Sequence, residues 1–189
     1  LSMPIPSPGD KVRYDDLSHD GVSYADIIKQ LKATNPVVDV DCHLDPDIRG
    51  EITTRMDGWK PAFGQVDAAQ SHLQNQGVGI GDLFLFFGWF RHTKKVNGKL
   101  SYDGPSSGFH AIYGYMQVGE IITRHEDVPE WLQSHPHAKK ERWVRNNAIY
   151  IASDNLSLNP TLPGAGCFTF TENHKLTKEG CSRSIWDLP

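Results

Sequence analysis

Residues 77–91 read GVGIGDLFLFFGWFR, a glycine-rich turn with an acid followed by a strand that is apolar on both faces. A second long strand, interrupted by Gly114 and Gly119, is predicted over Phe109–Ile122, FHAIYGYMQVGEII. Apolar residues on both faces indicate burial on both sides, and glycines inside a strand mark bends or the close approach of another backbone. We therefore expect the two strands to be neighbours in a small curved sheet or a β-barrel.

Helices and shorter strands are predicted on either side of this pair, which a polar loop joins. A first helix is expected to begin at Ser23 and to end before Pro36, and a second to span residues 65–76, with Gly77 as its C-terminal stop. Short strands are expected over residues 37–42, 147–153 and 167–171, and a short helix over residues 127–133. Helical and extended segments do not alternate regularly, which favours an α+β fold with flanking helices over a doubly wound α/β fold.

Length and composition favour one domain over residues 1–189, with a proper hydrophobic core. No run approaches the roughly 18 uninterrupted apolar residues of a membrane span, and no signal peptide is visible. Three cysteines without a Cys-x-x-Cys spacing favour a reducing, cytoplasmic setting. Both ends of the chain resemble the interior of a longer sequence, so we expect flanking segments at both termini to be missing.

The charge balance argues against indiscriminate nucleic-acid binding. The net charge is −4 and the isoelectric point is near 6.1, whereas phosphate contacts need a basic surface. The densest basic stretch is residues 137–145, HAKKERWVR, which we interpret as a solvated helix or turn.

Potential ligands are densest between residues 39 and 47, where the chain carries Asp39, Asp41, His43, Asp45 and Asp47. Alternate strand residues share a face, so Asp39, Asp41 and His43 are candidates to point the same way. Carboxylates with one imidazole suit Mg, Mn or Zn. Acid–base catalysis by His43, with an adjacent carboxylate holding its tautomer, is a second interpretation. The simplest interpretation of this stretch is an ordinary acidic turn in which Arg49 supplies the counter-charge.

Two further groups of residues suggest ligand contacts. Gln65, Ala69 and His72 fall on one side of the predicted second helix, beside its apolar stripe. A glutamine and a histidine there have the donors and acceptors to bond a base edge, although a backbone carbonyl would satisfy His72 equally well. If the two long strands form a hairpin, His92 and His110 are adjacent at one rim, together with Trp89 and Arg91. A stacking ring, a charge and hydrogen bonds together would make a recognition site.

Several catalytic classes lack their motifs here. The sequence has no Gly-x-Ser-x-Gly elbow, P-loop, dinucleotide fingerprint or His-Glu-x-x-His. Cys42 and His43 are adjacent, so in a strand they face opposite ways and cannot form a catalytic pair.

Long strings of the sequence resemble one known family in order along nearly the whole chain. These are SMPIPSPGDKVRYDDL, CHLDPDIR, AFGQVDAAQSHLQNQGVGIGDLFLFFGWFR, FHAIYGYMQVGEII, NNAIYIAS, GAGCF and CSRSIWDLP. They are similar to the third class of nucleotide modification associated domains, which implies a role in systems that modify DNA bases. Family members typically extend beyond both ends of this chain, and Val66-Asp67 departs from their usual glycine-containing turn. A fold-level likeness to PUA, ASCH and EVE barrels implies a barrel mouth that takes a nucleotide or modified base.

We therefore expect a nucleotide- or modified-base-recognising domain that acts in DNA modification, with a partner modification enzyme as a further expectation. A metal- or His-dependent hydrolase or transferase and a protein-interaction module are the alternatives, and whether a metal or another cofactor takes part is left open. The candidate catalytic residues are His43 and His72. The candidate ligand-binding residues are Asp45, Asp47, Arg49, Gln70, Trp89, Arg91 and His110.

Overall fold

A computed structural model describes residues 1–32, 34, 36–104 and 108–188. Strand accounts for 36% of the chain and helix for 22%, so the fold is the predicted α+β type with strands dominant. The α-helices are α1 (Tyr24–Leu31) and α2 (Asp67–Asn75). The strands are β1 (Ile5–Pro6), β2 (Val12–Arg13), β3 (Ser18–His19), β4 (Val22–Ser23), β5 (Asp41–His43), β6 (Ala62–Val66), β7 (Leu83–Phe90), β8 (Thr93–Val96), β9 (Lys99–Tyr102), β10 (Phe109–Ile122), β11 (Asn147–Ala152), β12 (Asn155–Leu156), β13 (Asn159–Pro163) and β14 (Ala165–Cys167). Short 3₁₀ helices span Tyr14–Asp16, Gly50–Ile52, His125–Asp127, Glu130–Leu132, Pro136–Ala138, Lys140–Val144 and Glu172–His174.

The central sheet is built on β10. The first part of β10 pairs with β7 and β14, and its last part pairs with β11, which in turn pairs with β6. All of these pairs are antiparallel, and the sheet curls into a half-barrel. The predicted neighbouring strands and small curved sheet are therefore confirmed.

Two glycines bend β10 where the sequence predicts bends. The pairing register shifts between Ile112 and Gly114 and again between Val118 and Glu120. A Cβ atom on Gly114 would lie 2.6 Å from Ile48 Cδ1, and one on Gly119 would lie 2.6 Å from Ser153 Cα. Both glycines therefore permit close approach as well as curvature.

The expected burial of β7 on both sides is wrong. Leu85, Phe87 and Trp89 are about half exposed, whereas Phe84 and Phe86 on the opposite face pack against other aromatic rings in the core. An antiparallel sheet commonly has one packed face and one open face. The apolar residues on the outer face of β7 conceal this alternation in the sequence.

The predicted helices and short strands are found with shifted bounds. Helix α1 begins after Ser23, whose side-chain oxygen accepts a hydrogen bond from the Asp26 N–H at 3.1 Å. Helix α2 starts at Asp67, two residues later than expected, because the preceding residues pair with β11. Strand β5 starts at Asp41 rather than at residue 37, and β14 ends where a strand was expected to begin. The loop after β7 contains the β8–β9 hairpin, and its residues 105–107 lie outside the described part of the chain.

A small sheet of order β1-β5-β2 packs with α1 and is tied to the central sheet next to β6. Asp47, four residues beyond β5, exchanges backbone hydrogen bonds of 2.8 and 2.9 Å with Ala62 at the start of β6. Segment 135–138 packs against β6 and β11. Three distant parts of the chain thus meet at one place. Within the described residues, no helix has the length and apolar character needed to cross a membrane.

Candidate functional site

A buried cluster of two histidines and one aspartate lies where β5, β6 and segment 135–138 meet. It consists of His43 at the end of β5, Asp45 just beyond it and His137 in a 3₁₀ helix, and we call it the His–Asp cluster. The side chains of Asp45 and His137 are 6% and 4% exposed, and that of His43 is 17% exposed. Only the His43 side of the cluster is partly open to solvent.

The three side chains point their free atoms at one another. Asp45 Oδ2 lies 3.5 Å from His137 Nε2 and 3.8 Å from His43 Nε2. These three atoms all lie within 4.8 Å of one another. The two imidazole rings meet edge-on, with centroids 5.5 Å apart.

Gly64 in β6 makes room for this arrangement. A Cβ atom there would lie 2.2 Å from Cγ of His137, which is well inside van der Waals contact. The Gly64 backbone N–H also donates a hydrogen bond of 3.0 Å to Asp45 Oδ1. Gly64 therefore leaves space for the His137 ring, and its N–H fixes the orientation of the Asp45 carboxylate.

Asp10 holds the orientation of His43. The Nδ1–H of His43 donates to Asp10 Oδ2 at 2.8 Å, and Lys139 forms an ion pair with the same carboxylate. Burial alone would raise the pKa of Asp10, but hydrogen bonds led by the one from Lys139 outweigh it and hold that pKa below its ordinary value. The buried carboxylate is therefore charged at neutral pH.

Asn147 in β11 holds the orientation of His137. The amide Nδ2 of Asn147 donates to the His137 carbonyl at 3.1 Å, so its Oδ1 faces His137 Nδ1 at 2.9 Å and accepts its proton. Burial lowers the pKa of His137 to about 4, against the opposing effect of Asp45. The His137 ring is therefore neutral at physiological pH.

His135 connects the cluster to a neighbouring cleft. Its Nδ1 accepts a hydrogen bond of 3.2 Å from the His137 backbone N–H, and its Nε2 lies 3.5 Å from Asp45 Oδ1. The same side chain lines a cleft of about 430 Å³, which we call the tryptophan cleft because Trp59 and Trp131 form part of its wall. Lys11 also lines this cleft.

An ion pair stiffens one wall of the tryptophan cleft. The Arg55 guanidinium bonds both oxygens of Asp47, with Nη1 at 2.7 Å from Oδ2, and lies 4.3 Å from the centre of the Trp59 ring. The indole ring is therefore held by stacking and charge as well as by packing.

A second, larger cavity lies around Arg91. It has a volume of about 640 Å³ and is lined by Trp89, Arg91 and Tyr102, among others. The Arg91 guanidinium lies 3.9 Å from the centre of the Tyr102 ring. Its Nε–H is buried and has no hydrogen-bond partner among the described residues. We call this the Arg91 cavity.

The structure brings some of the predicted site residues together and separates others. His43 and Asp45 share the His–Asp cluster, and Asp47 lines the adjoining tryptophan cleft. Arg49 lines a separate cavity of about 40 Å³ with Asp45, and its guanidinium donates to the Tyr24 hydroxyl at 3.1 Å.

The remaining candidates lie elsewhere. His72 is exposed on α2, and Gln70 is buried in the core, where it accepts a hydrogen bond of 3.1 Å from Tyr150. His110 lies opposite Trp89 in the β7–β10 pair, as the hairpin predicts, and accepts a hydrogen bond of 3.0 Å from the Trp186 indole. Trp89 and Arg91 line the Arg91 cavity.

The expected acidic group at residues 39–47 does not hold together. Asp39 precedes β5, is exposed and pairs with Arg13, so it does not share a strand face with His43. Asp41 instead accepts a hydrogen bond of 3.0 Å from the Gly9 backbone N–H. The carboxylates that meet His43 are Asp10 and Asp45.

Sequence reasoning missed the partners that come from distant segments. The interpretation of residues 137–145 as a solvated stretch is wrong at its start, because His137 is buried and Lys139 pairs with Asp10. The His-Pro-His string at residues 135–137 was the available signal, since two histidines fixed by a proline suit a rigid site.

One of the three comparisons with known proteins identifies a family. No curated protein and no solved structure gives a match to the chain. The family model for nucleotide modification associated domain 3 matches residues 1–189, the whole chain. The chain therefore belongs to the nucleotide modification associated domain 3 family.

Proposed function

We propose that this chain is an enzyme of nucleotide modification that carries out hydrolysis or group transfer at the His–Asp cluster. The observation behind the proposal is the shared side chain of His135, which lines the tryptophan cleft and lies 3.5 Å from Asp45. A nucleotide or modified base in the cleft would thus lie next to buried groups suited to chemistry. A reducing compartment such as the cytoplasm suits the three free thiols.

The cleft has the chemistry that a nucleotide needs. Its volume of about 430 Å³ lies within the usual range of ligand pockets, about 300–1,000 Å³. Trp59 and Trp131 offer rings on which a base can stack. Lys11 donates to the Gln133 carbonyl at 2.8 Å and keeps further N–H groups for a phosphate.

Binding is tested with nucleoside monophosphates carrying ordinary and modified bases, titrated against the wild type, Trp131→Leu and Trp89→Leu. Base–aromatic stacking contributes about 1–3 kcal/mol, so we expect Trp131→Leu to weaken binding by about fivefold or more. Trp89→Leu, in the other cavity, is the matched control. A loss with Trp89→Leu alone would contradict the assignment of the cleft.

Turnover is tested with the same nucleotides and with short single- and double-stranded DNA that contains modified bases. We expect a change of mass in at least one substrate, abolished by Asp45→Asn while binding to the cleft persists. Binding without any change of mass would contradict an enzymatic role and leave recognition as the function.

Recognition without chemistry is a second candidate, and the Arg91 cavity supports it. The buried Nε–H of Arg91 has no hydrogen-bond partner among the described residues, and it is suited to a phosphate or a base edge. Here Arg91→Met, which keeps an apolar stem, is expected to weaken nucleotide binding while Trp131→Leu leaves it unchanged. In that case the domain would recognise its ligand for a partner modification enzyme.

A further inference from the structure

We infer that the His–Asp cluster binds a divalent transition-metal ion through His43 Nε2, His137 Nε2 and Asp45 Oδ2. The assignment follows from the location of each proton in and around the cluster, because a metal ligand must present a lone pair.

The hydrogen bonds of Asn147 determine the tautomer of His137. The Asn147 amide nitrogen donates to a carbonyl, which accepts only, so the amide oxygen must face His137 Nδ1. That ring nitrogen therefore carries the proton. In the neutral ring, Nε2 then presents its lone pair toward Asp45 Oδ2 at 3.5 Å.

His43 is fixed in the same way by a carboxylate. Its Nδ1 lies 2.8 Å from Asp10 Oδ2, and a carboxylate in an ion pair with lysine accepts only. The Nδ1 atom therefore donates to Asp10, and Nε2 is the ring nitrogen left for a metal ion. A carboxylate behind a histidine is the usual outer partner of a metal-binding imidazole, because it fixes the ring and raises its basicity.

His135 is an outer partner and not a ligand. Its Nδ1 accepts the backbone N–H of His137, so its Nε2 carries the proton and faces Asp45 Oδ1 at 3.5 Å. Gly64 donates to the same oxygen at 3.0 Å. Asp45 Oδ1 is thus held by the Gly64 N–H, His135 Nε2 makes no hydrogen bond to a described residue, and Asp45 Oδ2 is directed at His43 and His137.

Three potential ligand atoms therefore face one another in a largely buried site, and no hydrogen bond found among the described residues ends on Asp45 Oδ2. Such a set is repulsive by itself, and a cation at its centre reverses the sign of the interaction. Metal bonds of about 2.0–2.2 Å place neighbouring ligand atoms about 3–3.5 Å apart. The two carboxylate–imidazole separations of 3.5 and 3.8 Å are near those values, and all three atoms lie within 4.8 Å of one another, so side-chain rotations that draw them together would complete the site.

The ligand set selects the kind of ion. Two imidazoles with one carboxylate suit Zn²⁺, Fe²⁺ or Co²⁺, whereas Mg²⁺ and Ca²⁺ prefer oxygen ligands. Three protein ligands also leave a position for water or substrate, as in catalytic rather than structural sites. The inference rests on the proposed enzyme function and makes that function metal-dependent. Metal binding is measured without any nucleotide, so a failure of metal binding is distinguishable from a failure of the proposed enzyme function.

The experiment compares metal binding by chelator-stripped wild type, Asp45→Asn, Asp10→Asn and His72→Ala, using calorimetry with Zn²⁺ and Mg²⁺ and the visible spectrum of the Co²⁺ form. Asp45→Asn keeps Oδ1 for the Gly64 N–H and replaces Oδ2 by a donor, so it removes the ligand with little change of shape. His72 is an exposed histidine outside the cluster and serves as the control.

We expect the wild type and His72→Ala to bind Zn²⁺ equally and Mg²⁺ far more weakly. Outer-partner changes typically cost about 10–100-fold in affinity, which is the loss expected for Asp10→Asn, with a larger loss for Asp45→Asn. His43→Gln, at the most exposed ligand, repeats the test if Asp45→Asn fails to fold. Failure of the folded wild type to bind Zn²⁺ or Co²⁺, unchanged affinity in both ligand variants, or a thiolate-to-Co²⁺ absorption band would each overturn the assignment.

Discussion

Gly64 is the residue on which the geometry of the cluster depends most directly. It is the position where a side chain would collide with the His137 ring, and its N–H orients Asp45. Its role is invisible in a single sequence, since a glycine in a strand is more often a bend or a bulge. Here the missing side chain leaves space for the His137 ring.

Gly64→Ala is expected to destabilise the protein by about 1–3 kcal/mol, because the added methyl group overlaps a buried ring held by Asn147. Chemical denaturation measures the change. Gly79→Ala is the matched control, since its Cβ would meet nothing nearer than 3.8 Å, and we expect it to change stability by no more than about 0.5 kcal/mol. Equal effects of the two substitutions would count against this role of Gly64.

Strand β7 shows how an element can mislead when both of its faces are apolar. Phe86 is 8% exposed and packs against Phe63, whereas its neighbour Leu85 is 53% exposed. Alternation along the strand separates the two positions although they are adjacent and similarly hydrophobic. The outer face of β7 is therefore an apolar surface rather than core.

Phe86→Ala is expected to cost about 3–5 kcal/mol, since it removes a buried ring from the core. Leu85→Thr, one residue away on the exposed face, is expected to change the free energy of unfolding by less than about 0.5 kcal/mol. Urea titration of both variants compares the two faces in one strand. A large loss with Leu85→Thr would mean that the outer face is covered in solution.

Local patterns were enough to predict some elements and not others. Strands β10 and β11 and the start of α1 follow from runs of apolar residues and a serine cap, which act over a few neighbouring positions. The first residues assigned to α2 belong to β6, because pairing with a distant strand overrides helix propensity. Likewise, His43 and Asp45 are close in sequence, so both are predicted as site residues. His137 is more than 90 residues away, and only the folded chain brings it next to them.

At the scale of the whole molecule, the His–Asp cluster links segments that are far apart in the chain. Asp10, Asp45 and His137 belong to three regions that share no secondary-structure element. An ion bound by His43, Asp45 and His137 would cross-link the end of β5 in the small sheet to segment 135–138, and would bind the folded chain better than the unfolded one.

Metal binding should therefore raise the stability of the whole domain. A ligand at 100 times its dissociation constant adds about 2.7 kcal/mol to the free energy of unfolding. We expect Zn²⁺ to raise the melting temperature of the wild type and a chelator to reverse the rise. The Asp45→Asn variant should show no shift, and a shift of the same size in that variant would indicate binding at another place.

The position of β14 in the chain has a consequence for synthesis. Strand β10 needs β14 along the edge of its first part, yet β14 is made more than 40 residues after β10 ends. While the chain emerges from the ribosome, the central strand of the fold presents free backbone groups to other nascent chains. Truncation before Ala165 would make this transient state permanent, and such a fragment should aggregate even though it contains the entire His–Asp cluster.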